Sequence, residues 1–173
     1  MPRFSSKRRV AHSAKQMFDL VADVERYPEF VPLCRAMRVI RRTKSGDREV
    51  VVAQMTVAYK LIKETFTSRV TLDRERLQIL VEYLDGPFSR MENRWRFLPV
   101  PATPERAAVA DEVGVGGEEA ACDVEFFISY EFRSRTLAVL MGAMFDAAFT
   151  RFSAAFEKRA DVVYGRKALV SRT

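Results

Sequence analysis

Imidazole chemistry has a single residue to draw on in this chain, His12. A Ser-His or Cys-His nucleophile pair, or a histidine-bearing metal site, needs partners at workable spacing. No carboxylate or cysteine stands at a recognisable spacing from His12, which is read as a structural or surface residue where a first strand meets a first helix. Cys34 and Cys122 are too few for a disulfide scaffold and too isolated for a zinc site or a CxxC redox pair. They are read as buried thiols in a reducing compartment. The run Val113-Gly114-Val115-Gly116-Gly117 has the glycines of a phosphate-binding loop, but no Lys-Ser or Lys-Thr follows and the next element is a strand, so it is not read as one. No paired-carboxylate motif stands out, although carboxylates distant in sequence can meet in a fold. The expectation is a protein that is not an enzyme and requires no cofactor or metal.

The polar residues that interrupt apolar faces carry more information. Glu64 and Ser68 alternate with Ile62, Phe66 and Val70, and Asn93 sits between Met91 and Trp95. An unpaired polar group in a dry core costs about 1–3 kcal/mol. Each of the three therefore meets a polar headgroup or an internal water, or lies at a frayed strand end, or pairs with an arginine. For Ser68 the strand end or the arginine is expected.

These residues need a scaffold, and the spacing of apolar residues describes it. Arg3 to Ala11 reads as an edge strand, its charges discouraging unwanted pairing. Ser13 is placed as an N-cap, after which Met17, Phe18, Val21 and Val24 recur at helical spacing until Tyr27-Pro28. Tyr27 to Cys34, broken by Pro28 and Pro32, predicts a compact turn or a second short helix. From Arg35 to Leu84 the period is two, with turns at Ser45-Gly46-Asp47 and near Asp73-Arg74-Glu75. Val51, Ala53, Met55, Val57 and Tyr59 share one face, as do Ile62, Phe66, Val70 and Leu72, and then Leu77, Ile79, Val81 and Tyr83. Beyond the Asp85-Gly86-Pro87 turn, Met91, Trp95 and Phe97 alternate with charged residues, giving a sheet with one wet and one dry face. Pro99 to Glu119 reads as a long mobile hairpin loop. Cys122 to Phe132 alternates most clearly and is expected at the centre of the sheet. Arg135 to about Val163 reads as one helix, with Leu137, Leu140, Met141, Met144, Phe145, Ala148, Phe149, Phe152, Ala155 and Phe156 on an apolar half and Asp146, Ser153 and Glu157 opposite.

Strands in a run followed by a helix predict an α+β fold: a curved antiparallel sheet of about seven strands wrapped around the long C-terminal helix, with two short helices after the first strand. A chain of 173 residues, 48% hydrophobic and 30% charged, suits one domain over 1–173, and no apolar run approaches the length of a membrane span. The basic segment Met1 to Val10 lacks the apolar stretch of a secretory signal, so a cytoplasmic location is expected. Lys and Arg number 29 against 23 Asp and Glu, which attracts anionic partners such as phospholipid headgroups, RNA or an acidic protein without choosing among them.

A bent sheet gripping one helix leaves space between its far strands and the short N-terminal helices. Met141, Met144, Phe145 and Phe149 on the helix, with Phe66, Tyr83, Trp95 and Phe97 on the sheet, suit an isoprenoid or acyl chain. The same pattern serves a filled, dry core equally well.

Three segments carry a resemblance to a known family. Tyr27-Pro28-Glu29-Phe30-Val31-Pro32-Leu33-Cys34, then Lys63-Glu64-Thr65-Phe66-Thr67-Ser68-Arg69-Val70, then Asp85-Gly86-Pro87-Phe88 followed by Trp95-Arg96-Phe97, make the chain resemble the coenzyme Q-binding START-domain family, within the polyketide cyclase/START-like superfamily. The likeness covers nearly the whole chain in order; the long Pro99 to Glu119 loop departs from it. It implies a helix-grip fold and non-catalytic binding of ubiquinone or a related polyprenyl lipid by a carrier or chaperone supporting respiratory electron transport, peripheral at the inner face of the inner membrane. The bacterial branch is also similar to ribosome association toxins that block joining of ribosomal subunits, which makes the ribosome the alternative partner and RNA the target of the positive charge. DNA is not an expected partner. The proline-bounded segment would then be a lid or mouth holding Tyr27, Phe30, Val31 and Leu33 beside the pocket. With Glu64, Phe66, Tyr83, Phe88, Asn93, Trp95, Phe97, Met141, Met144, Phe145 and Phe149 these form the expected ligand-binding set.

Overall fold

Alternation of apolar and polar residues puts successive side chains on opposite faces of a strand. In the computed structural model, which describes residues 2–100 and 121–165, that alternation forms β1 (Arg3–Val10), β2 (Cys34–Ser45), β3 (Arg48–Tyr59), β4 (Ile62–Asp73), β5 (Gln78–Asp85), β6 (Phe88–Pro99) and β7 (Cys122–Phe132). All pair antiparallel in one seven-stranded sheet of order β1-β7-β6-β5-β4-β3-β2. Between β1 and β2 lie α1 (Ala14–Ala22) and a 3-10 helix (Val24–Glu29), and α2 (Arg135–Tyr164) closes the described chain. This is the helix-grip arrangement expected from the sequence.

Local chemistry fixes the helix starts. Ser13 caps α1 through a reciprocal pair: its hydroxyl accepts from the Gln16 N–H at 3.1 Å, and the Gln16 side chain accepts from the Ser13 N–H at 3.0 Å. Ser134 accepts from the backbone N–H groups of Thr136 and Leu137 to start α2. Pro28 is tolerated in a short 3-10 helix, where few i→i−4 bonds are at stake.

Register irregularities interrupt the ladder at four places. They fall between Cys34 and Ala36 and between Val39 and Arg41 in β2, between Thr67 and Ser68 in β4, and between Phe88 and Arg90 in β6. An extra residue on one strand of a pair raises local twist and curvature.

Several expectations change. β7 lies between β1 and β6, second from an edge, and β5 is the middle strand. Alternation reports one buried face and two neighbours, and those are the same for any interior strand. Asp146, Ser153 and Glu157 do not face away from the sheet. Tyr130 donates to Asp146 at 3.2 Å, Ser153 and Ser6 share a hydrogen bond at 3.1 Å, and Arg8 pairs with Glu157 at 2.6 Å, because α2 lies along β1 and β7 with this flank against them. Leu140, counted on the apolar half, is exposed along with Val139. Finally, α2 is by length and composition apolar enough to cross a membrane, but its Met141, Phe145, Phe149 and Phe156 are buried against the sheet. The expected Pro99 to Glu119 loop begins later, since Pro99 still pairs with Cys122 at the end of β6, and residues 101–119 lie outside the described residues.

Candidate ligand-binding site

Where α2 packs over β7 and β6, the concave face is filled with rings. Phe88 stacks on Phe132 at 5.0 Å, Phe132 on Phe145 at 5.5 Å and Phe145 on Phe149 at 5.6 Å, while Trp95 meets Phe126 edge-on at 4.7 Å and Phe156 at 5.0 Å. Over β3, β4 and β5 the inward side chains are mostly aliphatic, with two small ones, Ala53 and Ser68, directly opposite each other. The result is a cavity of about 110 Å³ between the aromatic wall, the small-residue strands and the segment after α1.

Val24, Tyr27, Val31, Pro32 and Leu33 form its roof. Met37, Ala53, Met55, Val57, Phe66, Ser68, Val70, Ile79 and Val81 line it from β2 to β5, and Phe88, Met91, Asn93, Trp95, Phe126, Ile128 and Tyr130 from β6 and β7. Phe145, Phe149, Phe152 and Phe156 complete it from α2. Leu33 reaches it from a left-handed backbone conformation (φ 68°), which a non-glycine residue adopts at a cost of about 1–2 kcal/mol.

The polar groups of this lining are almost all engaged. Tyr27 donates its hydroxyl to the Val21 carbonyl, and Tyr130 donates to Asp146. Trp95 Nε1 donates to Asn93 Oδ1 at 2.9 Å, and Asn93 Nδ2 donates to the Phe127 carbonyl at 2.8 Å. Ser68, 5% exposed, is in mid-strand rather than at a strand end, and its Oγ has no hydrogen-bond partner, arginine included, among the described residues. Strand alternation places it on the inward face with Phe66 and Val70, so the hydroxyl is part of the cavity lining.

Burial, more than the neighbouring Cys34 and Asp23, pushes the Tyr27 phenol far above its ordinary pKa. Burial and then Asp146 do the same to Tyr130, so both stay protonated donors at neutral pH. The Cys34 thiol beside the roof is pushed up to about 11 by burial, partly offset by its bond to the Ala36 carbonyl, which makes it a poor nucleophile. No cluster of His, Cys, Asp and Glu able to hold a metal occurs among the described residues.

His12 lies elsewhere. It is 1% exposed, and its Nε2 meets Asp161 Oδ1 at 2.7 Å while Tyr164, stacked obliquely near the ring, donates to the Gln16 carbonyl at 3.0 Å. A carboxylate partner exists after all, from the far end of α2, and it makes His12 a clasp between the start of α1 and the end of α2.

Of the residues expected to bind ligand, Tyr27, Val31, Leu33, Phe66, Phe88, Asn93, Trp95, Phe145 and Phe149 lie in the cavity lining. The rest lie outside it. Phe30 sits behind the roof, edge-on to Phe156 at 5.0 Å. Tyr83 packs edge-on against Phe88 at 5.6 Å and accepts from the Phe88 N–H. Phe97 stacks behind Trp95 and meets Phe18 edge-on. Met141 is buried and Met144 half-buried on α2, and Glu64 is half-buried near the start of β4. The expected set leaves out Ala53, Ile79, Val81 and Ile128, which are small or aliphatic, and Ser68, expected at a strand end or beside an arginine. Ala53 and Ser68 become a signal only once the β3–β4 register pairs them.

A family model described as "Polyketide cyclase / dehydrase and lipid transport" matches residues 10–157. The chain belongs to this family. Among relatives of this polyketide cyclase and lipid-transport domain is the "Ribosome association toxin RatA" of Vibrio cholerae, 33% identical over 165 residues, 95% of this chain and 99% of the toxin. Another is "Coenzyme Q-binding protein COQ10 homolog B, mitochondrial" of Xenopus laevis, 30% identical over 165 residues, 95% of this chain and 60% of that protein. The solution structure of an 18 kDa protein from Caulobacter crescentus matches at a TM-score of 0.72 and 32% identity, covering 96% of this chain and 100% of that one. A Streptomyces aromatase/cyclase shares the fold at a TM-score of 0.68 and 17% identity, covering 99% of each chain, so the fold accommodates both binding proteins and enzymes.

Proposed function

We propose that the cavity binds the ring of a prenyl quinone, and that the protein carries or presents this lipid without transforming it. The observation that carries the reading is an apolar cavity walled by aromatic rings, with the small residues Ala53 and Ser68 paired on the facing strands. An engineered apolar cavity of ~150 Å³ takes up benzene, whereas whole drug-sized ligands occupy roughly 300–1,000 Å³. The observed 110 Å³ matches a single ring in the closed state. A prenyl tail therefore requires the roof to lift.

The roof is built to do so. It is latched to α2 by Glu29 and Arg159, 3.0 Å apart, with the Arg159 guanidinium over the Phe30 ring at 5.2 Å. These contacts are exposed at the rim, and exposed ion pairs are worth little individually. Support for binding without chemistry comes from the protonated phenols and thiol around the cavity and from the placing of His12 outside it. Delivery at a membrane is supported by Leu61, fully exposed in the β3–β4 turn between Lys60 and Lys63, where a bilayer with anionic headgroups satisfies both kinds of side chain.

Trp95 is the only tryptophan, is 4% exposed and lines the cavity. Titration with a short-chain quinone should quench its fluorescence saturably at one quinone per chain. Absence of both quenching and a rise in melting temperature at saturating quinone refutes the reading.

A second reading, a ribosome-directed inhibitor, has its own observation. The edge strand β2 exposes Arg35, Arg38, Arg41 and Lys44, none with a carboxylate partner among the described residues. Such a row suits a phosphate backbone, and it also discourages edge-to-edge pairing. Salt-sensitive co-sedimentation with large ribosomal subunits, lost on charge reversal of Arg38 and Arg41, is expected if it is correct. Normal subunit joining at saturating protein contradicts it.

A further inference from the structure

Resting on the ligand-binding reading above, we propose that Ser68 is the polar contact of the ligand. The cavity then selects a neutral, oxygen-bearing ring and fixes one of its oxygens at Ser68 Oγ.

Five lining side chains carry a nitrogen or oxygen: Tyr27, Ser68, Asn93, Trp95 and Tyr130. Four of them are committed to protein partners. Ser68 Oγ is buried without a partner among the described residues, so its one donor and two acceptor positions face the cavity unspent. The main chain around it is held by strand pairing on both sides, to Ala53 in β3 and to Tyr83 in β5. Ala53, directly opposite, leaves room in front of the hydroxyl.

An internal water is a poorer solution, because a stable buried water needs two to four polar partners and, of the lining side chains that carry a nitrogen or oxygen, only Ser68 has no hydrogen-bond partner among the described residues. A ligand oxygen needs only one. The lining also holds no cation or anion, so a carboxylate or phosphate inside the cavity has nothing to offset its desolvation. Fatty acids with the headgroup inside and phosphorylated headgroups are thereby excluded. What remains is an uncharged ring with a carbonyl or hydroxyl oxygen, such as a quinone, a quinol or a phenol.

The test compares Ser68→Ala with the wild type, using two probes with the same tail: a decyl-substituted dimethoxy-methyl-benzoquinone and decylbenzene. Affinities are read by calorimetry, and unfolding of the free proteins by heat. The quinone should bind Ser68→Ala about tenfold more weakly, as when one buried hydrogen bond to a ligand is removed. Decylbenzene should bind the variant as well as the wild type, and the free variant should melt no lower, since an unpartnered buried hydroxyl has been removed. Equal quinone affinity for both proteins overturns the assignment of Ser68 and leaves the cavity reading standing. Parallel weakening of both probes, or a lower melting point, also overturns it, because Ser68 would then be structural. Failure of either probe to bind the wild type overturns the cavity reading and the assignment together.

Discussion

Ala53→Leu closes the cavity from its floor. Ala53 is 4% exposed, lines the cavity and faces Ser68 across the β3–β4 pair. Leucine adds three carbons to a space of about 110 Å³, enough to occupy most of it. At ~0.8 kcal/mol per buried methylene the transfer gain is at most about 2.4 kcal/mol. Strain from overpacking takes back about 1–3 kcal/mol. Net stability should therefore change by less than about 1.5 kcal/mol in either direction, a melting shift within about 5 °C for a chain of this size. Affinity responds differently, because a ring must expel the leucine and forfeit its transfer energy. A loss of about 2.4 kcal/mol corresponds to roughly 50-fold weaker quinone binding. Trp95 quenching measures the affinity and thermal denaturation the stability. Ala58→Leu, of the same chemistry on the adjoining wet face of β3, serves as control and should leave binding unchanged. A folded Ala53→Leu protein with wild-type quinone affinity would show that the ligand sits elsewhere.

Other consequences follow from the roof, the β5–β6 turn and the exposed Leu61. Arg159→Ala should raise the association rate of quinone severalfold in stopped-flow measurements by releasing Glu29 and Phe30. Arg26 first, then Arg159, hold the Glu29 carboxyl below the usual range, so its latch is present at and above the ordinary carboxylate pKa and is lost as pH falls through the lowered value. The wild-type association rate should rise in that acid window and the Arg159→Ala rate should not; identical pH profiles contradict the latch. Gly86→Ala places a Cβ 2.6 Å from the Cβ of Phe66 at a φ of +141°, and should cost about 2 kcal/mol or more in urea denaturation. Leu61→Glu should reduce co-sedimentation with anionic phospholipid vesicles while leaving quinone affinity unchanged, and undiminished sedimentation would remove Leu61 from the membrane contact.

Much of the architecture was legible because period-two and period-3.6 patterns report buried faces directly, and Ser13 announced α1 through its capping chemistry. The order of strands was not. Cys122 to Phe132 alternates most strongly, yet strength of alternation measures burial of one face and says nothing of distance from an edge. The polar flank of α2 was misplaced for a related reason: Asp146, Ser153 and Glu157 are polar because their partners Tyr130, Ser6 and Arg8 are, and long-range pairing leaves no periodic trace. His12 and Asp161 are hidden in the same way. The aromatic wall of the cavity was readable from side-chain size. Its open side was not, since space is made by what is small, and Ala53 and Ser68 acquire meaning only when register sets them face to face. Ser68 is the instructive case, expected at a strand end or beside an arginine and found buried at the cavity with its hydroxyl unspent.

Mass spectrometry of an organic extract, taken from protein purified without detergent from its native host, tests the occupancy of the cavity most directly. Close to one prenyl quinone per wild-type chain is expected, falling to background in Ala53→Leu. Extracts of the wild-type protein that are repeatedly free of quinone, or that carry as much from Ala53→Leu, would contradict a quinone-binding cavity.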